Sequence, residues 1–285
     1  MLNTKVRSTV HGAISLVNAI ATGYGSALGI SLKVRVEVEL QEGNGILFQP
    51  EGGTPLLRNI INRSLPKEIT KNNLLVIKVD SQIPAGMGLK SSSAVSSATA
   101  LACTALVGNE LDDKIILNLA VRASLDAGVT ITGAYDDSTA CYFGGIVVTN
   151  NYEYELIQRE EAPADLYAVV FLPNNNRYGN IRNLYLFSDL FIDAFNLAKS
   201  RQYWKAMKLN GLLTASALSG DYKPILTALQ RGALSASISG NGPSIAAVTY
   251  KEHIDDITQI YDKYNGVTLV SKANNNKASF EVIVD

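Results

Sequence analysis

The segment 32–40 alternates between apolar and charged side chains without a fault. Its apolar positions are Leu32, Val34, Val36, Val38 and Leu40. Its charged positions are Lys33, Arg35, Glu37 and Glu39. Because successive side chains of a β-strand point to opposite faces, this period predicts a strand with one buried and one wet face. Such a strand is typical of an antiparallel or mixed sheet.

The elements predicted around this strand mix β-strands and α-helices without strict alternation. A second strand is predicted over residues 74–79, and a helix rich in Ala and Ser over residues 91–107. This mixture predicts an α+β fold of two intimately packed halves. The polar stretch 153–164 indicates the boundary, so we expect an N-terminal domain over residues 1–158 and a C-terminal domain over residues 159–285.

Local signals place two further features. Asp112 and Asp113 are suited to cap a helix, and Gly128 is suited to end it. Two short strands, 236–239 and 245–250, are predicted to flank a Gly-rich turn.

Composition narrows the chemistry that the chain can perform. The 285 residues carry 25 Lys and Arg against 26 Asp and Glu, a net charge of -1 that argues against a nucleic-acid binder. No apolar run of about eighteen residues is present, so no membrane span is expected. The two cysteines make no disulfide framework, which favours a cytoplasmic location. With only His11 and His253, a histidine metal site or a Ser-His-Asp triad is nearly excluded. The groups that remain available for catalysis or binding are carboxylates, hydroxyls, amides, lysine and arginine.

A Gly- and Ser-rich loop joins the strand at 74–79 to the helix at 91–107. Its residues are Pro84, Ala85, Gly86, Met87, Gly88, Leu89, Lys90, Ser91, Ser92, Ser93 and Ala94. Glycines let backbone amides approach a ligand, and a helix N-terminus attracts anions. A Walker A loop is excluded because Leu89 stands directly before Lys90. A common strand-to-helix turn with a serine cap is the alternative, but the combination favours a phosphate site.

At these residues the chain resembles the GHMP kinases, whose loop signature is close to PxxxGLGSSA. Lys90 replaces the glycine that usually precedes the serines, and the form GLKSSSA is similar to the archaeal shikimate kinase branch of that family. The resemblance continues in family order at residues 12–23, 132–137 and 239–243. It implies a GHMP kinase fold with a cleft for ATP and substrate between the two halves, and the use of ATP and Mg²⁺.

The resemblance also implies roles for individual residues. Asp137 stands seven residues before Gly144, which matches the family carboxylate near the acceptor hydroxyl. Ser92 and Asp126 match residues that hold Mg²⁺ in related kinases, and Lys90 is expected either to cover a phosphate or to pair with an acidic neighbour. Without the resemblance, Asp136-Asp137 would be read as an Asx turn and Asp126 as a solvated residue at a helix end.

The remaining candidates concern the substrate. The resemblance implies that residues 239–242 form a loop that closes on the phosphates and the substrate, although Asn-Gly is also a common hairpin turn. Arg177 and Arg182 are candidates for holding a substrate carboxylate. The full set of expected substrate-binding residues is Asn18, Thr22, Asp137, Arg177, Arg182, Ser239, Gly240, Asn241 and Gly242.

The activity implied by the resemblance is transfer of the ATP γ-phosphate to the 3-hydroxyl of shikimate, a step towards the aromatic amino acids. The partners would then be ATP and a small molecule, with the oligomeric state open. Two alternatives remain: a GHMP kinase for another small alcohol such as homoserine, and a non-catalytic nucleotide-binding member. The presence of both Asp126 and Asp137 argues against the second.

Overall fold

Two β-sheets with α-helices packed on them make up the described part of the chain. The computed structural model describes residues 4–49, 53–108, 111–174 and 179–284. Its strands are β1 (Thr4–Val17), β2 (Tyr24–Gln41), β3 (Gly45–Gln49), β4 (Leu74–Ser81), β5 (Ile146–Asn150), β6 (Glu155–Glu160), β7 (Leu166–Pro173), β8 (Ser235–Ile238), β9 (Ile245–Tyr250), β10 (Gly266–Lys272) and β11 (Ser279–Val284). Its α-helices are α1 (Pro55–Ser64), α2 (Lys67–Asn72), α3 (Ser91–Leu106), α4 (Asp113–Asp126), α5 (Tyr135–Phe143), α6 (Ser188–Lys199), α7 (Tyr203–Ala217), α8 (Lys223–Gln230) and α9 (Ile254–Tyr261). Two 3₁₀ helices cover Ile181–Phe187 and Lys251–His253.

The first sheet is mixed and contains seven strands. Its main path runs in the order β11-β1-β2-β4-β3, and β5 and β6 extend from the N-terminal part of β2. Only β3 and β4 pair in parallel among these described strands. The second sheet is antiparallel, in the order β10-β7-β9-β8. The expected α+β fold is confirmed.

The alternating segment 32–40 forms the C-terminal part of β2, as predicted. The side chains of Val34, Val36 and Val38 are fully buried. On the opposite face, Glu37 accepts a hydrogen bond of 2.7 Å from Arg7 Nε and lies 3.0 Å from Lys5 Nζ. The period of the sequence therefore separates the core from a charged outer face of the sheet.

The Ala- and Ser-rich composition of α3 has a structural reason. Ala94, Ala98 and Ala102 are fully buried where the helix packs on the first sheet. The Ser8 hydroxyl of β1 donates a 2.7 Å hydrogen bond to the carbonyl of Ala98, so strand and helix approach closely. Larger side chains at these positions would separate the two elements and disturb the loop that precedes α3.

The division of the chain near residue 158 stays a proposal. The second sheet and α6 to α9 all come from residues after this boundary. However, the chain returns at its end, because β11 pairs with β1 in the first sheet. The isolated bridge between Ile30 and Ala273 also connects the halves. Any C-terminal domain therefore includes a strand that belongs to the N-terminal sheet.

Several local signals in the sequence are confirmed. Asp112 caps α4, since its side chain accepts from the backbone amides of Lys114 and Ile115. Gly128 follows the helix with a φ of 66°, a conformation that favours glycine.

Among the described residues, no helix has the length and apolar character needed to cross a membrane.

Candidate active site

A cavity of about 330 Å³ lies where the Gly/Ser loop of the first half meets the 239–242 loop of the second. Its walls come from the start of α3, the loop 128–134, the start of α5 and the residues Gly240, Asn241 and Gly242. The expected cleft between two packed halves is therefore present. We call this cavity the cleft below.

The Gly/Ser loop contributes a backbone cradle to the cleft. Gly86 and Gly88 have φ values of 73° and 81°. A Cβ at position 88 would lie 2.1 Å from the carbonyl oxygen of Ser239, so only glycine allows this close approach. Helix α3 then begins at Ser91, and the side chain of Ser92 is exposed at its first turn. Amides and hydroxyls at a helix N-terminus can hold an anion such as a phosphate.

The eleven residues expected to bind the nucleotide divide into two groups. The cleft is lined by Gly86, Gly88, Lys90, Ser91, Ser92 and Ser93. Leu89 and Ala94 are fully buried in the core, and Met87 packs against it. Pro84 and Ala85 are not in the lining. These five residues therefore do not line the cleft.

Lys90 adopts a left-handed backbone conformation, with φ 66° and ψ 28°, directly before α3. Its ammonium lies 2.9 Å from Asp137 Oδ1 and donates a 2.7 Å hydrogen bond to the Ser15 hydroxyl. Of the two expectations for this lysine, the structure shows the acidic pairing. Burial lowers the pKa of Lys90, but the charges of Asp137 and Asp136 outweigh it and raise the pKa above its usual value. The lysine is therefore a cation in the folded protein.

Asp136 and Asp137 lie in the first turn of α5, not in an Asx turn before a strand. The positive end of the helix dipole favours carboxylates at this position. Asp137 is 17% exposed and Asp136 only 4% exposed. Burial, and next the charge of Asp137, raises the pKa of Asp136 to about 7. Two carboxyl groups thus meet one ammonium at the wall of the cleft.

The 239–242 loop connects β8 to β9, as predicted, and is tied to the first half by hydrogen bonds. The Ser239 hydroxyl donates to the carbonyl of Gly88 at 2.8 Å and accepts from the amide of Ser15 at 3.1 Å. The Gly240 amide donates to the Ser15 hydroxyl at 3.0 Å, and the Asn18 side chain donates to the Gly240 carbonyl at 2.9 Å. The loop and Lys90 therefore meet at Ser15.

Several predicted site residues do not face the cleft. Asp126 is 47% exposed, forms an ion pair with Arg63 and is absent from the lining. Thr22 uses its hydroxyl within a turn, on the backbone of Tyr24, and is also outside the lining. Arg182 is exposed beside Ile181, which does line the cleft. Arg177 lies outside the described residues.

The structure adds two site residues that the sequence did not single out. Ser15 lies within the 12–23 segment but is an ordinary serine in a strand, so only the fold shows that it touches Lys90. Asn151 is fully buried and donates a 2.8 Å hydrogen bond to Asp136 Oδ1. No local pattern marks Asn151, because its partner lies in a different element.

Comparisons with known proteins agree with this geometry. The family described as GHMP kinases N terminal domain matches residues 57–145. A homoserine kinase from Cytophaga hutchinsonii has the same fold, with a TM-score of 0.76 at 20% identity over 98% of this chain and 97% of its own.

Nearly the whole chain is similar to archaeal proteins that carry the name shikimate kinase. The protein of Methanobrevibacter smithii is 36% identical over 275 residues, which cover 93% of this chain and 95% of the relative. The protein of Methanosarcina acetivorans is 37% identical over 277 residues, covering 94% and 93%. The chain therefore belongs to the GHMP kinases, which are ATP-dependent kinases of small molecules. Within that class, the chain is 36% and 37% identical to these two archaeal proteins named shikimate kinase.

Proposed function

We propose that this chain is a shikimate kinase, which transfers the γ-phosphoryl group of ATP to the 3-hydroxyl of shikimate. The product, shikimate 3-phosphate, would serve aromatic amino-acid synthesis in the cytoplasm. The observation that carries the proposal is the Lys90–Asp137 pair, 2.9 Å apart beside the Gly/Ser loop. The similarity to archaeal proteins named shikimate kinase supports the choice of acceptor.

The residues that line the cleft are suited to bind a nucleoside triphosphate. The left-handed backbone at Gly86 and Gly88 shapes the loop that lines the cleft, and the first amides of α3 lie at the positive end of the helix dipole, where they would bind phosphate oxygens. Gly240, Asn241 and Gly242 would cover the other side of the phosphates. In this proposal the loop residues bind and orient, which is most of what phosphoryl transfer needs from a protein.

A magnesium ion fits the site on two conditions, both of which concern Asp126. Mg²⁺ prefers oxygen ligands and usually keeps waters and nucleotide phosphates as part of its shell, so Ser92 and a single carboxylate are sufficient. Asp126 would supply that carboxylate only after leaving Arg63 and turning towards the cleft, which it does not line. When bound, the ion would neutralise charge on the transferring phosphoryl group.

Asp137 and Lys90 would act on the acceptor. Asp137 accepts the hydrogen bond of the acceptor hydroxyl and takes its proton as the new oxygen–phosphorus bond forms. The bond between the γ-phosphorus and the bridging oxygen breaks at the same time, and ADP leaves with the bonding electrons. Lys90 pairs with Asp137 and adds a positive charge to the reacting region, while Ser15 holds the ammonium in place.

The carboxylate of shikimate needs a cation as well. Arg177 and Arg182 stay our candidates, since arginine binds carboxylates with two parallel hydrogen bonds. Asn18 lines the cleft beside Gly240 and is a candidate for a substrate hydroxyl. Thr22 shapes the turn that follows Asn18, so its contribution would be indirect.

An acceptor panel tests the proposal. ADP formation would be measured with Mg-ATP and shikimate, homoserine, mevalonate or galactose, each against a control without acceptor. We expect turnover with shikimate at a kcat/KM at least about a hundredfold above that of the others, as polar recognition of several groups allows. Turnover of homoserine instead would overturn the acceptor, and ATP binding without any turnover would favour a non-catalytic member.

A further inference from the structure

Asp136 is held by a set of contacts that the transfer mechanism above does not use. Its Oδ1 accepts a 2.8 Å hydrogen bond from the side-chain amide of Asn151, and its backbone amide donates a 3.0 Å hydrogen bond to Asn151 Oδ1. A Cβ at position 25 would lie only 2.5 Å from Asp136 Oδ2, so Gly25 lets strand β2 pack directly on the carboxyl. Asp136 nevertheless lines the cleft.

Asn151 is itself fixed in orientation. Its Oδ1 also accepts a 2.8 Å hydrogen bond from the Thr149 hydroxyl, while its amide nitrogen lies 3.3 Å from the Thr132 hydroxyl. Because Oδ1 accepts from two donors, the NH2 group of Asn151 is the end of its side chain that faces the carboxyl of Asp136. The fold therefore supplies Asp136 with a hydrogen-bond donor that stabilises the ionised carboxyl.

The charged and titratable groups around Asp136 are few. Lys90 faces it from the start of α3, and Asp137 and Cys141 face it from α5. The Cys141 thiol is fully buried, and burial raises its pKa well above the usual value, so it stays neutral. The cluster therefore holds one cation and two carboxyl groups, and two negative charges this close oppose each other.

We propose that Asp136 is a positioning residue of the transfer reaction: its charge, stabilised by Asn151, sets how strongly Asp137 attracts the proton of the acceptor hydroxyl. This inference rests on the proposed kinase function and adds a residue to it. When Asp136 is neutral, the charges of the Lys90 ammonium and the Asp137 carboxylate balance. When Asp136 ionises, the cluster carries a net negative charge that attracts the proton of the acceptor hydroxyl.

A rise of kcat with pH follows from this arrangement. Because the pKa of Asp136 is raised to about 7, its ionised fraction increases between pH 6 and pH 8. That fraction changes from about one tenth to about nine tenths over this range, so kcat is expected to rise by up to about ninefold. Asp136→Asn removes the charge at every pH, and its kcat should stay flat near the low-pH value of the wild type.

Three variants make the test specific. Asn151→Ala removes the donor that stabilises the Asp136 anion, so the rise of kcat should move to higher pH. Asp113→Asn is the matched control: Asp113 accepts from the Tyr142 hydroxyl on the same helix α5 at 2.9 Å but lies outside the cleft lining. This control should keep the wild-type profile. If the kcat of Asp136→Asn still rose with pH, with the same midpoint as wild type, the proposal would be overturned.

Measurements that do not depend on turnover test the role of Asp136 independently of the proposed kinase function. Titration of ¹³C-labelled aspartates by NMR should show Asp136 ionising near neutral pH, and earlier in Asp137→Asn, which lacks the neighbouring charge. Thermal stability provides a second check. A folded-state pKa above the unfolded one stabilises at low pH, and this stabilisation is lost as pH rises towards 7. The stability of Asp136→Asn relative to wild type should therefore increase from about pH 4 to about pH 7 and stay constant above that range.

The outcomes distinguish the two claims. No turnover of shikimate at any pH, together with a neutral-range titration of Asp136, would contradict the acceptor and leave the charge arrangement standing. Turnover of shikimate with Asp136 titrating near pH 4, as an ordinary aspartate does, would overturn the role of Asp136 and leave the kinase function standing.

Discussion

Lys90 Nζ and Asp137 Oδ1 lie 2.9 Å apart, although one residue precedes α3 and the other lies in α5. Their ion pair connects the element that would hold the phosphates to the element that would meet the acceptor. The lysine stands where the family signature has a glycine, and it adopts the left-handed conformation that glycine would take there. A left-handed conformation at a residue other than glycine costs on the order of 1 kcal/mol of folding free energy. In this position it places the Lys90 ammonium beside the Asp137 carboxylate.

Asp137→Asn is expected to lower kcat by at least about a hundredfold, because an amide cannot take the hydroxyl proton. Binding of an ATP analogue, measured by calorimetry, should change little, since the Gly/Ser loop is untouched. Asp113→Asn serves as the control. A kcat for Asp137→Asn within about threefold of wild type would remove the proposed role.

Comparison of Lys90→Gly with Lys90→Ala separates the effect of the lysine charge from the effect of the left-handed backbone conformation. Both variants lose the ammonium, so both should lower kcat by about a hundredfold, the usual effect of removing a charge-stabilising group. Only glycine relieves the left-handed strain, so Lys90→Gly should be more stable than Lys90→Ala by about 1 kcal/mol. Urea unfolding measures this difference, and equal stability would contradict the strain at position 90.

Ser15→Ala should lower kcat by about tenfold, because the hydroxyl bonds both the charged Lys90 and the Gly240 amide. Ser26→Ala is a matched control in β2: Ser26 is also fully buried, and its hydroxyl donates to the Val147 carbonyl at 2.7 Å. Both changes should cost some stability in thermal unfolding. If the two variants lose kcat equally, Ser15 has no special part in the site.

The Arg63–Asp126 pair should compete with magnesium. Arg63→Ala frees the Asp126 carboxylate and is expected to lower the Mg²⁺ concentration needed for half-maximal binding of a fluorescent ATP analogue, whereas Asp126→Asn should raise it several-fold. Arg35→Ala, which removes an exposed partner of Asp80, is the control. An unchanged Mg²⁺ dependence in Asp126→Asn would show that Asp126 is no ligand.

Sequence patterns predicted the features that depend on local spacing. The period of 32–40, the Asp112 cap and the strands around residues 239–242 are set by neighbouring residues. The sequence also predicts the Gly/Ser loop, because its glycines and serines directly precede the Ala- and Ser-rich segment that forms α3.

Contacts between distant elements were not predictable in this way. The pairing of Asp126 with Arg63 depends on how α4 packs beside α1. The hydrogen bond from Asn151 to Asp136 depends on where β5 ends relative to α5. The return of β11 to the first sheet likewise depends on long-range packing, because no residue in that strand specifies its neighbour.

The most direct test of the account is the structure of the product. After incubation with Mg-ATP and shikimate, ³¹P and ¹H NMR spectra should show one phosphomonoester, coupled to the proton at carbon 3, in an amount equal to the ADP formed. Asp137→Asn should give almost none. ADP formed without phosphorylated shikimate, or phosphate attached to another hydroxyl, would contradict the proposed reaction.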